Sequence, residues 1–504
     1  MKTVFVLFDS LNRQALQSYG GTQIATPNFD RLAARSVQFD RHYVASLPCM
    51  PARRDMQTGR SHFLHRNWGP LEPFDNSLPE LIGKAGGGYS HLITDHYHYF
   101  HDGGATYHTR FNSYEALRGQ STDDWKAVID PPRSVFEDYH PAQVRPFTDH
   151  DRINRMYITQ EEDFTCPQVF KLAGEFLDTN HASDNWFLQV ETFDPHEPFI
   201  TPERFKAPFA TGYDGPIFDW PMYGRVQEGP QEVAEVKANY AALVSMCDWY
   251  LGTLLDRFDA LDLWKDTALV VTTDHGFLLG EHDWWGKNLA PVYEQLSHVP
   301  LFIHHPTHAD LAGQRRGALT QVTDLMPTIL GWHGIDIPAE VTGHDLTPVL
   351  LSDTPQREVA IFGYFGSAVN ITDGHHVYMR YPEDLTAEGL YEYTLMPTSF
   401  GNRFPPERLS AATLFPGFDF TRGCPVLRVP VPGRPDDNKV LAMTGGRGFT
   451  YEDAVTRLWD LEADPAQDAP AEDAAVIARL TAALKAEMVR HDAPQEQYRR
   501  LGLL

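Results

Sequence analysis

The chain has 504 residues, with 42 Lys and Arg against 68 Asp and Glu, so its formal charge is −26 with histidines neutral. That charge excludes a protein built to grip nucleic acid or an anionic membrane, since both need clustered cations. Hydrophobic content of 42% with 12% aromatics excludes a disordered or fibrous chain, and Cys49, Cys166, Cys247 and Cys424 are too few and too scattered for a disulfide framework.

Taken from the start, the run Val4 to Phe8 is too short for a signal-peptide core, and no apolar run approaches the roughly 18 residues of a membrane span. A cytoplasmic location without a membrane partner is the expectation. Short apolar runs at Val4–Phe8, His91–Thr94, Trp186–Val190, Ala268–Thr273 and Val299–Ile303 predict buried parallel strands. The first four lead into polar residues: Asp9; Asp95 and His96; Asp194 and His196; Asp274 and His275. In an open α/β sheet those strand ends form the ligand crevice, so one site built from distant segments is expected.

Apolar residues from Tyr240 to Phe258 at helical spacing predict a crossover helix over about 232–258, leading into the Ala268 strand. Val322 to Leu330 reads as the last helix of this region. Near residue 355 the pattern changes to short alternating strands, Ala368–Ile371 and His375–Tyr381. A Pro-, Gly- and Phe-rich stretch over about 383–448 follows, and then a tail helix with Val476, Leu480, Leu484 and Met488 on one face. The expected architecture is therefore α/β. A catalytic domain over 1–355 has a large, mostly parallel sheet flanked by helices, and a smaller α+β domain over 356–504 has an antiparallel sheet and a helix. The 383–448 insert is expected to be a lid or the arm of a homo-oligomer, because so many Phe and Pro residues would not stay exposed as a free loop.

The most informative segment is Cys49-Met50-Pro51-Ala52-Arg53, followed by Thr58-Gly59-Arg60. A phosphatase loop of the form Cys-x5-Arg fails, because position 55 is Asp55. A cysteine presented for modification is the reading that remains, and the double motif resembles the signature of the sulfatase family, whose cysteine is oxidised to formylglycine. Thr273-Asp274-His275-Gly276, continuing to Gly286-Lys287, is similar to that family's second signature. Asp194-Pro195-His196-Glu197-Pro198 resembles its Pro-His-x-Pro segment, and Leu458-Trp459-Asp460-Leu461 with Asp464-Pro465 resembles a motif near its C-terminus. The chain is thus identified as a member of the sulfatase branch of the alkaline phosphatase superfamily, with that superfamily's fold. Asp9 without a second aspartate, and Asn67 before Gly69-Pro70-Leu71, lean toward relatives that include phosphonate monoester hydrolases. Ser10 stands where many members have a second acid, and His96 where many have lysine, while His98 falls on the family histidine.

Attack on a sulfate ester needs a strong nucleophile, an electrophilic clamp and a proton donor. An aldehyde made from Cys49 hydrates to a gem-diol, and a divalent cation lowers the pKa of one of its hydroxyls. Asp9, Asp274, His275 and the modified residue 49 are the expected metal ligands. The resemblance implies Ca²⁺, while the imidazole of His275 makes Mn²⁺ its rival. Arg53, four residues after the nucleophile, is placed to stabilise its charged form. The resemblance implies that Lys287 and His196 bind the transferring oxygens or protonate the leaving group. His98 is the candidate base that regenerates the aldehyde, and Asn67 and His96 complete the substrate contacts. With Asp9 and Asp274 facing a divalent cation, Arg53 and Lys287, the site is expected to be locally positive. The expected activity is sulfate ester hydrolysis with phosphonate monoester hydrolysis beside it. The expected partners are a small-molecule sulfate ester and a formylglycine-generating maturation enzyme.

Overall fold

Strand β1 (Lys2–Phe8) is buried along its whole length. Its side chains alternate between two apolar cores, Phe5 and Leu7 in one and Val4, Val6 and Phe8 in the other. A strand covered on both faces produces the continuous apolar run seen in the sequence. The computed structural model describes residues 1–143, 148–288, 290–383, 385, 389–433, 439 and 446–504. In it β1 lies inside an eight-stranded sheet with β2 (Val37–Phe39), β3 (Tyr89–Thr94), β4 (Ser113–Ala116), β5 (Trp186–Thr192), β6 (Thr267–Thr273), β7 (Leu301–His304) and β8 (Arg315–Arg316). The order is β8-β2-β7-β6-β1-β5-β3-β4.

β1 runs parallel to β5 and β6, and β3 runs parallel to β4 and β5. The strand expected to be parallel at Val299–Ile303 is instead β7, antiparallel to both β2 and β6. A buried apolar run carries no directional signal. Among the described residues the link from β6 to β7 holds only short elements, Leu278–Leu279, Glu281–Asp283, Trp284–Gly286 and Glu294–Ser297, and no crossover helix. The chain therefore re-enters the sheet from the end it left.

Helix α1 (Cys49–Thr58) is buried at every position. Helix α2 (Thr165–Asn180) packs beside α3 (Pro230–Ala260), which is the expected crossover helix. α3 begins with Pro230 at its first position, and the Glu232 carboxylate accepts the Gly229 N–H at 2.6 Å. The helix expected at Val322–Leu330 starts as a 3₁₀ turn, Val322–Asp324, and continues as α4 (Leu325–Trp332). It is not the last of its region, because Thr347–Ser352 forms another.

A second sheet places Arg457–Asp460, His376–Arg380, Val369–Thr372 and Ala360–Tyr364 side by side, all antiparallel. Its edge is Ser46–Leu47, paired parallel with Ala360–Tyr364. The chain just ahead of Cys49 is thereby hydrogen-bonded into the C-terminal sheet. Helix α5 (Ala474–Arg490) lays Leu480, Leu484 and Met488 into the same apolar cluster as Ile361, Val369 and Ile371 of that sheet. Its N-cap Asp473 accepts from the N–H groups of Ala475 and Val476.

Within the 383–448 insert, Tyr391–Thr394, Val426–Pro430 and Thr413–Phe415 form a three-stranded sheet, and Thr398–Ser399 pairs with Asn402–Arg403 as a hairpin. Phe420, Tyr393 and Val426 pack with Phe74 in a small apolar cluster. The expectation of a lid or arm falls partly on residues 384, 386–388, 434–438 and 440–445, which lie outside the described residues. No helix among the described residues is long and apolar enough to cross a membrane.

Candidate active site

Asp9 follows β1, Asp274 and His275 follow β6, and Cys49 opens α1, so strand ends converge on a helix start at the C-terminal edge of the sheet. One donor atom from each of Asp9, Cys49, Asp274 and His275 lies within 4.8 Å of the other three, and all four residues are buried. These are the four ligands expected from the sequence. His275 Nδ1 lies 2.9 Å from the Gly276 carbonyl oxygen. A carbonyl can only accept, so Nδ1 carries the hydrogen and Nε2 keeps its lone pair, 3.3 Å from Cys49 Sγ. Two carboxylates, a lone-pair imidazole nitrogen and residue 49 form a donor set that fits a divalent cation.

The motif glycine has a steric reason. A Cβ on Gly276 would lie 1.8 Å from the Gln295 carbonyl oxygen, so no side chain is tolerated there. Asn12 ties the two strand-end loops together: its Oδ1 accepts the Phe277 N–H at 2.7 Å, and its Nδ2 donates to the Phe277 carbonyl at 2.9 Å.

Charge in the site is tightly paired. Burial, reinforced by Asp9, pushes the Cys49 thiol well above its ordinary range, so the unmodified side chain is a neutral, weak nucleophile. Burial also opposes ionisation of Asp9, yet Lys287 and Arg53 outweigh it and hold that carboxyl well below the usual range. Arg53 donates through Nη1 to Asp274 Oδ2 at 2.5 Å and to the Cys49 carbonyl at 3.1 Å. Its Nη2 lies 2.9 Å from Asp9 Oδ2, and its Nε donates to Glu191 Oε1.

Glu191, the penultimate residue of β5, was not anticipated. The available signal was a carboxylate near the end of a strand rich in apolar residues, which has to find a partner when buried. It changes the expected charge balance. Three carboxylates face Arg53 and Lys287, so with a divalent cation bound the site would remain positive, as expected, but by one charge less than Asp9 and Asp274 alone would leave it.

Lys287 follows the strand Trp284–Gly286. Its Nζ donates to Ser10 Oγ at 2.7 Å, and Ser10 Oγ donates to Asp9 Oδ1 at 2.7 Å. Ser10 adopts a left-handed backbone, φ 62°, and its N–H reaches Asp274 Oδ1 at 3.0 Å. The position that read as a lost acid is thus a hydroxyl bridge between the lysine and a carboxylate of the four-donor set. Burial works against the Lys287 charge, but neighbouring acids, Asp9 and Glu197 among them, outweigh it and keep the ammonium protonated.

The histidines are neutral. His196 Nδ1 bonds the Glu197 carbonyl at 2.5 Å, so its Nε2 is an acceptor. Burial, with Lys287 beside it, holds its pKa well below the ordinary value, so of the two neighbours it is Lys287 that carries the proton. His96 lies with Nε2 3.1 Å from Met50 Sδ and Nδ1 4.0 Å from Asp9 Oδ2. Burial and Arg53 keep it uncharged. Burial, with His101 adding, lowers His98 to about 3. The edge of that ring meets Trp68 at 5.3 Å, and Phe400 of the insert hairpin packs on Trp68 at 5.8 Å. Asn67 is not gathered into this cluster. It is exposed, and among the described residues its side chain makes no hydrogen bond, although the adjacent Trp68 belongs to the wall around His98.

A buried carboxyl pair holds the two histidine loops together. Asp95 Oδ1 accepts the Phe193 N–H at 2.6 Å, and Asp194 Oδ1 accepts from Gln120 at 2.8 Å. Burial lifts Asp95 to about 7, and burial together with Asp95 pushes Asp194 well above its ordinary range. An acid whose folded pKa is raised stabilises the fold fully below its unfolded value, and that contribution disappears as pH rises through the folded value. Asp95→Asn keeps the oxygen acceptor and cannot ionise. Its melting temperature relative to the parent is therefore expected to climb as pH is raised from about 4 to about 8. A difference that stays constant over that range, measured by thermal unfolding, would refute the assignment.

Comparison with known proteins gives a consistent picture. The sulfatase family model matches residues 2–335, and the model for the C-terminal region of N-sulphoglucosamine sulphohydrolase matches residues 280–392. N-acetylglucosamine-6-O-sulfatase of Bacteroides thetaiotaomicron is 25% identical over 419 residues, covering 72% of this chain and 74% of that protein. A solved complex of an enzyme with its substrate D-glucosamine-2-N, 6-O-disulfate superposes with a TM-score of 0.65 at 17% identity, covering 99% of this chain and 98% of the other. The phosphonate monoester hydrolase of Agrobacterium radiobacter does so with a TM-score of 0.63 at 19% identity, covering 98% and 96%. These two likenesses establish the alkaline phosphatase-like fold.

Proposed function

Because this chain belongs to the sulfatase family, we propose that it hydrolyses sulfate monoesters of small molecules, with Cys49 converted to formylglycine by a maturation enzyme. The observation that carries this reading is the position of Cys49 Sγ, 3.3 Å from His275 Nε2 inside a closed set of metal donors. A thiol there is neutral, whereas a hydrated aldehyde offers hydroxyls to the same donors.

Asp9, Asp274, His275 and residue 49 would hold the cation. A divalent cation so placed supplies Lewis acidity, lowering the pKa of a hydroxyl on residue 49 and drawing charge from the transferring oxyanion. Arg53, hydrogen-bonded to Asp274 and ion-paired with Asp9, stabilises negative charge on residue 49. Lys287 holds a proton next to Ser10 and Asp9, so it gives that proton to the departing alcohol or grips a transferring oxygen. His196, neutral with Nε2 as an acceptor, neither grips a transferring oxygen nor protonates the leaving group, contrary to the expectation from sequence; it can bond only a donor on the alcohol part of the ester. His98 is uncharged and accepts the proton of the second hydroxyl, which then expels sulfate. Ca²⁺ is the cation the carboxylates suit, and the lone pair of His275 is what favours Mn²⁺. Metal analysis of the purified protein separates them.

Phosphonate monoester hydrolysis is the second reading, favoured by Ser10. Lys287 is bonded there to a hydroxyl at 2.7 Å and meets Asp9 Oδ1 at 3.4 Å, so its ammonium is less neutralised than a second acid at position 10 would make it, which suits the extra negative oxygen that phosphorus transition states develop. The expected result with protein coexpressed with a maturase is a higher kcat/KM for an aryl sulfate than for an aryl phosphonate sharing its leaving group, with both measurable. A hexosamine 6-sulfate belongs in the same panel, given the relative named above. A phosphonate preference would promote the second reading, and no turnover of any ester would defeat both.

A further inference from the structure

Arg53 has a third acid partner that the chemistry of a metal site does not by itself require. On one edge its guanidinium reaches Asp274 Oδ2 and Asp9 Oδ2, both carboxylates of the four-donor set. On the other edge Nε donates to Glu191 Oε1. Glu191 is itself held, because Tyr99 Oη donates to its Oε2 at 3.0 Å, and Arg53 and Glu191 are both wholly buried. The arrangement is a fork with Glu191 at the handle.

A buried guanidinium beside two carboxylates competes with any cation that needs them. Without an acid behind it, Arg53 would settle between Asp9 and Asp274 and satisfy its charge on them alone. With Glu191 as its own counter-charge, Arg53 counts as a neutral pair, and the two aspartates keep their charge for a divalent ion. The Nε bond also fixes the plane in which Nη1 and Nη2 approach residue 49, whose carbonyl Nη1 already contacts.

We propose that Glu191 is a positioning residue for this site: it restrains Arg53 so that Asp9 and Asp274 remain free to bind a divalent cation and the guanidinium stays aimed at residue 49. Glu191 touches neither substrate nor cation and acts through Arg53. The proposal rests on the reading that Asp9, Cys49, Asp274 and His275 hold a cation.

Mn²⁺ titrated into the purified, metal-stripped protein and followed by calorimetry tests it. In Glu191→Gln the dissociation constant is expected to weaken by about 10- to 100-fold, the usual consequence of removing an outer-shell partner. In maturase-coexpressed protein kcat should fall by a similar factor while KM changes little. Glu191→Asp should recover part of both losses, which a generic packing defect would not. Tyr99→Phe, which removes one hydroxyl and no charge, should shift the dissociation constant in the same direction but less, and it serves as the variant of record if Glu191→Gln does not fold. Parent-like Mn²⁺ binding in a folded Glu191→Gln, or in Tyr99→Phe when only that variant folds, would overturn the proposal. A parent protein that binds no divalent cation would instead defeat the metal-site reading beneath it.

Discussion

Cys49→Ala is expected to lower kcat for ester hydrolysis by on the order of 10³- to 10⁶-fold, the range found when a nucleophile is deleted from a preorganised site. The structure sharpens this, because Cys49→Ser should fare no better. A serine hydroxyl would occupy the same buried position with neither a second hydroxyl to expel sulfate nor an ordinary route to ionisation. Protein with an intact thiol should be just as inactive, since burial and Asp9 keep that thiol protonated. Mass spectrometry of the peptide containing Cys49 therefore has to accompany every rate. Full turnover from protein whose Cys49 is an unmodified thiol would reject the formylglycine mechanism outright.

Asp274→Asn should remove most bound metal and at least about 10³-fold of activity, and it should also cost stability. Asp274 Oδ1 accepts the N–H groups of Ser10 and His275, at 3.0 and 2.8 Å, which an amide oxygen can still do. Oδ2 faces Arg53 at 2.5 Å, and an amide nitrogen there would point donor at donor. Breaking one arm of a buried ion network costs about 3–5 kcal/mol when a charge is left uncompensated. Arg53 retains Asp9 and Glu191, so the loss should fall at or below the lower end. Metal content and the denaturant midpoint, measured on one preparation, check the two halves separately. Full metal occupancy in the variant would remove Asp274 from the ligand set.

Much of the site was legible because its chemistry is local in the chain. Cys49 and Arg53 are one helical turn apart, Asp274 and His275 are adjacent, and Asp9 and the Asp274–His275 pair each follow a strand whose apolar run could be seen. What stayed hidden depends on contacts between segments. Glu191 has meaning only beside Arg53, which lies 138 positions away in the sequence. Ser10 looked like an absence, since a hydroxyl gives no hint that a distant lysine will donate to it. The direction of β7 was invisible because burial on both faces erases the alternation and leaves only the connection to decide. In the 383–448 insert, side chains expected to be covered as a lid or as the arm of an oligomer are in part satisfied at short range, Phe420 against Phe74 and Phe400 against Trp68.

The pairing of Ser46–Leu47 with Ala360–Tyr364 also sets a clock. Cys49 is 1% exposed in the finished fold, out of reach of any macromolecule. The strand just ahead of it cannot acquire its neighbour until more than three hundred further residues have been synthesised, roughly 15–60 s at ordinary elongation rates of about 5–20 residues per second. During that interval the segment is an open edge and the thiol remains accessible. On the proposed function, oxidation of Cys49 by a second protein would be a race against completion of the sheet, and the fraction of molecules that become active would be decided by relative rates during synthesis, before the stability of the final structure has any bearing on it.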